Sequence, residues 1–344
     1  MNNLKILHIR SGRGAKGGTA NVFLSLQRLF GDLKIESDVV VRSGAAIVDK
    51  LPVGTNITKI NYSRQLPTWM QIAAKRKMAT AAQNHNLLIL HKPADAKIWR
   101  AAFPDAKIVL FIHDFGWVKN LQFADLLVAV SHSVAQNLHN FGWKNVMVME
   151  NFLTTEISNH KIDANKKIIF SAFGIFRKTK GFAELIRAAA ILEKMSTLPD
   201  YQINLYGAGR QKLYYHLLKR FFNTRHLNIC NWTANVPDVM QKSDVVVVPS
   251  RHETFGIVLI EAMASGALVL ATRSGGPESI LQHEVDGILV PTNNPVALAT
   301  AMQNIIEHPN NYLEMRENGR RKVAERYTET TAKKNLQNIF TCFE

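Results

Sequence analysis

Residues 245–272 read VVVVPSRHETFGIVLIEAMASGALVLAT. Four consecutive valines make a strand with no polar face, the mark of a parallel sheet covered on both sides. A polar loop follows, then an apolar stretch at helical spacing, a small-residue turn, and a second buried strand. Strand, helix and strand in that order imply parallel strands joined by a right-handed crossover. Two acids, Glu253 and Glu261, stand in the segment. With a helix starting near Phe255, Glu261 lies roughly 9 Å along its axis at about 1.5 Å per residue, and Glu253 precedes its N-terminus. Backbone N–H groups at Thr254, Phe255, Gly256 and Ile257 are then available to an anion, and Gly256 lets a ligand approach the chain closely. Taken alone, the same acids also fit a helix cap and a solvated helix residue.

The pattern repeats in both directions. Buried-strand runs LKILHI, DVVV, LLIL, KIVLFI, LLVAV and VMVM precede residue 150, with helical spacing between several of them, as at Val22, Leu26, Leu29 and Phe30. Residues 151–165, NFLTTEISNHKIDAN, have no clear period and are expected to link two domains. A second series, KIIFSAFG, INLYG, LNIC, VVVVPS, ALVLAT and GILV, follows. The expected architecture is therefore α/β, two Rossmann-like doubly wound domains facing a cleft, the place where ligands of this class bind. The boundaries are placed at 1–155 and 156–326, with a helical tail at 327–344 packing back toward the first domain. A chain of 344 residues agrees with two cores, since one domain commonly holds roughly 100 to 150 residues.

The composition, 47% hydrophobic and 20% charged, is that of an ordinary globular chain. Lys and Arg outnumber Asp and Glu by 42 to 27, a net charge of +15 that calls for an anionic partner. No long basic tail carries it, which argues against a nucleic-acid arm. Cys230 and Cys342 stand far apart without a CxxC pair, so neither a disulfide framework nor a zinc site is expected, and a reducing cytosol fits. The sequence has neither a signal-peptide pattern nor an apolar run of about 18 residues. A cytoplasmic protein, peripheral at most on a membrane, is the expectation.

A Glu, seven residues and a second Glu, with FG inside and EAMASG after, preceded by SDVVVVPS and followed by GGPESI and DGILV, resemble the family 4 retaining glycosyltransferases. The resemblance covers most of the chain. It implies the GT-B fold, with an N-terminal acceptor-side domain and a C-terminal donor domain. It also implies retaining transfer of a sugar from a nucleotide-sugar donor, UDP- or GDP-linked, to a glycan or lipid-linked acceptor of the bacterial cell envelope. By the same resemblance Glu261 holds the ribose hydroxyls and Glu253 the hydroxyls of the transferred sugar.

A second constellation is SAFGIFRKTKGFAELIRAA, residues 171–189, where Gly174 ends a strand and a basic loop opens an amphipathic helix. Arg177 can fork onto phosphate oxygens and Lys180 supply a point charge, together offsetting a leaving diphosphate; a solvated basic turn is the bland alternative. In the family an Arg directly follows the strand-ending glycine. Lys180 and Gly181 match, but Ile175 holds the Arg position, so Arg177 is expected to take that role, with Lys178 as the second choice.

Residues 8–23, HIRSGRGAKGGTANVF, spell GxGxxG with Gly12, Gly14 and Gly17, a weak dinucleotide signal to which Glu36 and Asp38 lend partial support. The resemblance instead turns Gly17 and Gly18 toward the donor's phosphate and sugar. It also places His113, after the strand KIVLFI, beside the donor sugar, with Asp114 next to it. YGAGRQKL resembles the family's glycine loop, which sets Gly207 and Gly209 near the nucleobase, and Val236 in NWTANVPDVM is expected there too; Gly275, Gly276 and Glu278 are secondary. No Asp-x-Asp is present, so the diphosphate is expected to be held by protein cations without a metal, and the donor is a co-substrate with no separate cofactor. LPTWMQIAAKRKMATAA, residues 66–82, with Trp69, Met70 and Ile72 beside Lys75, Arg76 and Lys77, suits an anionic membrane surface. Rival readings are a nucleotide-sugar epimerase of the same fold, a non-catalytic glycosyltransferase-like subunit, and an NAD-dependent oxidoreductase.

Overall fold

The computed structural model describes residues 4–15, 17–61, 68–154, 167–195, 197–233 and 235–343. The linker expected at 151–165 lies mostly outside them. The chain divides into two units, Met1–Asn151 with Glu329–Glu344, and Phe152–Thr328.

The first unit holds β1 (Lys5–Arg10), β2 (Glu36–Val41), β3 (Ile57–Lys59), β4 (Leu87–Leu90), β5 (Lys107–Ile112), β6 (Leu126–Ala129) and β7 (Val146–Val148), in the order β3-β2-β1-β4-β5-β6-β7. Every pairing is parallel. All four residues of β4 are buried, which is why the run reads LLIL with no polar alternation. The helix Glu329–Phe340 belongs to this unit through Ala332, Leu336, Ile339 and Phe340. Phe340 packs its ring 6.3 Å from that of Phe30, and Lys333 pairs with Asp32 at 3.0 Å.

The second unit holds β8 (Ile168–Ile175), β9 (Tyr201–Ala208), β10 (Leu227–Cys230), β11 (Val245–Val248), β12 (Leu268–Thr272) and β13 (Ile288–Val290), in the order β10-β9-β8-β11-β12-β13, again all parallel. Its core gathers alternate residues of β8, β9, β11 and β12 with Leu185, Ile186 and Leu192 of the helix Phe182–Leu192. Relative to its own first strand, each unit has the order 3-2-1-4-5-6, continued by one more strand in the first unit. The order reverses between strands one and four, and ligands of such sheets bind outside the carboxyl ends of that pair.

Two local expectations are corrected. The helix after β11 begins at Ile257, with Gly256 at its N-cap, and ends at Ser265. Gly256 has φ 92°, and a left-handed residue starts a new direction of chain rather than continuing a helix from Phe255. Gly207 lies within β9 rather than in a loop, paired with Gly174 of β8. A Cβ on Gly207 would stand 2.2 Å from the Gly174 carbonyl oxygen, so only glycine lets these strand ends approach.

Candidate functional site

In the second unit the reversal falls between β8 and β11, whose ends lead into Phe176–Gly181 and Pro249–Gly256. Three contacts lock these loops together. Gly181, at φ 65°, packs so closely that a Cβ would sit 1.7 Å from the Pro249 carbonyl oxygen. The Arg251 N–H donates to the Thr179 carbonyl at 2.8 Å. The Arg251 guanidinium also pairs with Glu184, buried in the first turn of the helix Phe182–Leu192. Lys180 Nζ is thereby brought to Glu253 Oε2 at 2.5 Å, and Ser250 Oγ donates to the same oxygen at 3.3 Å. From the other side Glu253 N–H donates to Ser274 O at 3.0 Å, and Gly276 N–H to Glu253 O at 2.6 Å.

Phe255 is buried, edge-on to Tyr327 at 5.9 Å between centroids, so it offers a ligand only backbone. Thr254 precedes it in the loop, and the first helical amide is that of Ile257. Glu261 is half-buried, and desolvation pushes its carboxyl up from 4.5 to about 7. Among the described residues it makes no hydrogen bond to Lys180 or Glu253.

Arg177 and Lys178 are both exposed. The Arg177 carbonyl accepts from Tyr215 Oη at 3.2 Å and from the Lys180 N–H at 3.1 Å, which fixes the loop's backbone and leaves its side chain at the surface. Val236 heads the short helix Val236–Gln241 and is half-buried. Gly209 crowds Phe176, since a Cβ there would lie 2.8 Å from the Phe176 carbonyl oxygen. Glu278 accepts from the Gly275 N–H at 2.7 Å and so caps its own helix.

In the first unit the reversal falls between β1 and β4, and the side chains there are of another kind. Gln27 Nε2 donates to Ser37 Oγ at 2.9 Å, leaving Oε1 toward His8 Nδ1 at 2.9 Å. His8 Nε2 meets His91 Nε2 at 2.8 Å, and His91 Nδ1 meets His113 Nε2 at 2.9 Å. With the Gln27 amide so placed, His8 carries its proton on Nδ1, His91 on Nε2 and His113 on Nε2. The last leaves His113 Nδ1 as an acceptor. Burial lowers all three, His8 and His113 to about 3, and the charge of Arg10 adds to the effect at His91 and His113. The chain is thus neutral. Arg10 is itself buried, and its guanidinium donates to Gly12 O at 2.8 Å and Gly14 O at 2.7 Å, bracing the glycine-rich loop. Gly17, at φ 98°, then caps the helix Gly18–Asp32.

Glu36 and Asp38 begin β2 rather than end it, and they pair with Lys5 and His85. Arg42 follows the carboxyl end, so the acid that a dinucleotide ribose needs there is missing from the place where strand geometry would present it. The helix Thr68–Ala82 buries Ala74, Met78 and Ala82. Its outer face carries Lys75, Arg76 and Lys77, with Ile72 as the large apolar side chain among those described, and the side chains of Trp69 and Met70 lie outside the described set. Among the described residues no group of three or more His, Cys, Asp or Glu side chains is arranged to hold a metal ion, and no helix is long and apolar enough to cross a membrane.

Residues 154–322 match the family described as Glycosyl transferases group 1. Over 324 residues, 89% of each chain, the sequence is 26% identical to the lipopolysaccharide core biosynthesis glycosyltransferase LpsD of Rhizobium meliloti (strain 1021). The protein is a glycosyltransferase of the GT-B fold. The fold is shared with HepE of Anabaena, solved in complex with UDP, at a TM-score of 0.85 over 98% of this chain and 100% of that one, with 19% identity. A second relative, LpsE of the same Rhizobium strain, is 23% identical over 88% of this glycosyltransferase and 89% of its own length.

In this glycosyltransferase the Arg251–Glu184 pair, and the histidines His8 and His91 that continue inward from His113, escape a reading by motif. The Arg251–Glu184 pair was signalled only by an acid three residues after Gly181. The histidine chain was signalled more clearly, because His8, His91 and His113 each sit in or just after a buried strand, and those strands are neighbours in a 3-2-1-4-5 sheet.

Proposed function

We propose that the second unit binds a nucleotide-sugar donor at the Lys180–Glu253 pair and that the protein transfers the sugar, with retention of configuration, to a glycan or lipid-linked acceptor of the bacterial cell envelope. The observation that carries this is the position of Lys180 and Glu253, 2.5 Å apart at the strand-order reversal. A diphosphate entering there competes with Glu253 for the ammonium. As Lys180 turns to the phosphate oxygens, the Glu253 carboxylate is released to accept from sugar hydroxyls. The Ile257 amide at the helix N-terminus and the exposed Arg177 side chain add positive potential for the leaving group. Glu261, one turn further on, accepts from the ribose hydroxyls, which favours its ionised form.

The acceptor class follows the two lipopolysaccharide core relatives, and the choice of UDP over GDP follows the UDP complex of HepE. The resemblance adds His113 as a sugar contact, through the Nδ1 acceptor, and Gly17 and Gly18 as the glycines facing the donor; Gly174 is proposed for the phosphate end, where the basic loop begins, and Gly207 and Val236 for the nucleoside end. Isothermal titration with UDP-glucose and GDP-mannose, on wild type, Lys180→Ala and Glu261→Gln, tests the donor site. Binding of one donor that both substitutions weaken is expected; wild-type affinity in both variants overturns the proposal. Product anomeric configuration, read by proton NMR, tests retention.

A further inference from the structure

The helix Lys212–Phe222 joins β9 to β10 and divides its large side chains between two faces. Tyr215, Leu218 and Phe222, at i, i+3 and i+7, pack on the core of the unit. Leu213, Leu217 and Phe221, at i, i+4 and i+8, stand outward at 71%, 59% and 80% exposure, with Tyr214 beside them at 44%. A solvated helix of a soluble domain puts charges on that stripe; here it is apolar, and apolar stripes left in the open mark a docking surface.

The rim of the stripe has one sign. Residues 209–226 contain Arg210, Lys212, Lys219, Arg220 and Arg225 and no Asp or Glu. Arg210, Arg220 and Arg225 are exposed, and among the described residues these three and Lys219 make no ion pair. Lys212 donates to Asn231 Oδ1 at 2.7 Å, a neutral partner. A second copy of the chain would bring the same cations face to face, which repels. A surface of anionic headgroups over acyl chains matches both parts at once: the cations meet the headgroups and the four apolar side chains enter the boundary beneath them.

We infer that the helix Lys212–Phe222 is an interfacial element by which the protein docks on an anionic lipid bilayer. The site differs from the basic helix at residues 68–82 that the sequence points to, whose described outer face is charged but carries no comparable apolar stripe. It is independent of the donor assignment. On its inner face it reaches the basic loop, since Tyr215 Oη donates to the Arg177 carbonyl.

The test is vesicle co-sedimentation of the full chain, using phosphatidylcholine alone and an equimolar mixture with phosphatidylglycerol. Wild type is expected to bind the mixed vesicles and to be released by salt. The triple change Leu213→Ser, Leu217→Ser, Phe221→Ser and the pair Lys219→Glu, Arg220→Glu are each expected to weaken binding by about tenfold or more. Lys75→Glu with Arg76→Glu is expected to change it less than threefold. Phe221→Trp, which leaves the face apolar, provides a second readout: its emission shifts to the blue on mixed vesicles and not on neutral ones. Unchanged binding in the triple variant, no blue shift, equal binding to neutral vesicles, or a dimer in sedimentation that Phe221→Ser dissolves would each overturn the inference.

Discussion

The two sheets share a strand order, yet the carboxyl ends of their central strands hold opposite chemistry. In the first unit the reversal is filled by His8, His91 and His113, hydrogen-bonded in series, neutral and largely buried. In the second it holds an ion pair on two glycine-locked loops. Topology therefore fixes where a site lies and leaves open what it does. The neutral chain can orient a group and pass direction along hydrogen bonds, whereas the ion pair can exchange partners with an incoming anion. Substitutions at the two reversals are expected to differ in kind.

The largest effect belongs to the ion pair. In the proposed site Lys180→Ala removes a cation from the leaving diphosphate, and the expected loss in kcat is roughly a thousandfold, as for removal of one strong oxyanion donor. UDP release in steady state measures it. A loss of less than about tenfold would show that Lys180 serves Glu253 and not the phosphate.

The next comparison sets a locked glycine against an unlocked one. Gly181→Ala combines a left-handed φ with a collision against backbone at Pro249, and more than about 3 kcal/mol of destabilisation is expected. Gly12→Ala meets no backbone, only the Arg10 guanidinium at 3.2 Å, which can give by loosening its hydrogen bonds to the loop, and is expected to cost about 1 kcal/mol. Urea unfolding of the two variants checks the ordering.

Much of this was legible in the sequence. The valine run at 245–248 and the runs like it announce buried parallel strands, because such strands have no polar face to interrupt them. Lys180 and Glu253 could be named from their motifs. Their mutual contact could not, since it depends on Gly181 meeting Pro249 across 68 residues of chain. The helix start was misplaced because Gly256, which reads as a permissive helix residue, turns the chain at positive φ. The outer stripe of Lys212–Phe222 is not legible in KLYYHLLKRFF, because apolar residues stand on both faces of the helix and only the packing shows which face the core covers.

Glu261 ties the proposed donor site to pH. Burial lifts its carboxyl from 4.5 to about 7, so between those values the folded chain holds a proton that the unfolded chain has released. Stability from this group is greatest below the lower value and falls as pH rises through 7. Glu261→Gln abolishes the slope, and between acid and pH 8 the variant is expected to gain about 2 kcal/mol relative to wild type, after discounting for partial exposure. In the proposed site donor binding moves the opposite way: ribose hydroxyls favour the carboxylate, so wild-type affinity for UDP is expected to strengthen above pH 7, and the variant is expected to lose both the affinity and its pH dependence. Thermal unfolding and UDP titration across the same pH series separate the two signs.

The smallest effect sharpens the neutral side of the comparison. In Gln27 the amide oxygen sets the direction of every hydrogen bond down to His113, because each neutral imidazole that donates at one nitrogen must accept at the other. Gln27→Leu removes that bias without touching His113, and transfer is expected to fall only about fivefold, near the worth of one hydrogen bond. The decisive readout is nitrogen-15 NMR of the histidines. Wild type is expected to show His113 protonated at Nε2 and untitrated near neutral pH; in the variant both nitrogens take partial proton character as the chain samples both directions. A wild-type His113 protonated at Nδ1, or one that titrates near its ordinary value of 6.5, would mean that direction is set from the His113 end. Gln27 would then be a filler of the core, and the first unit's reversal would owe its chemistry to the surface rather than to the interior.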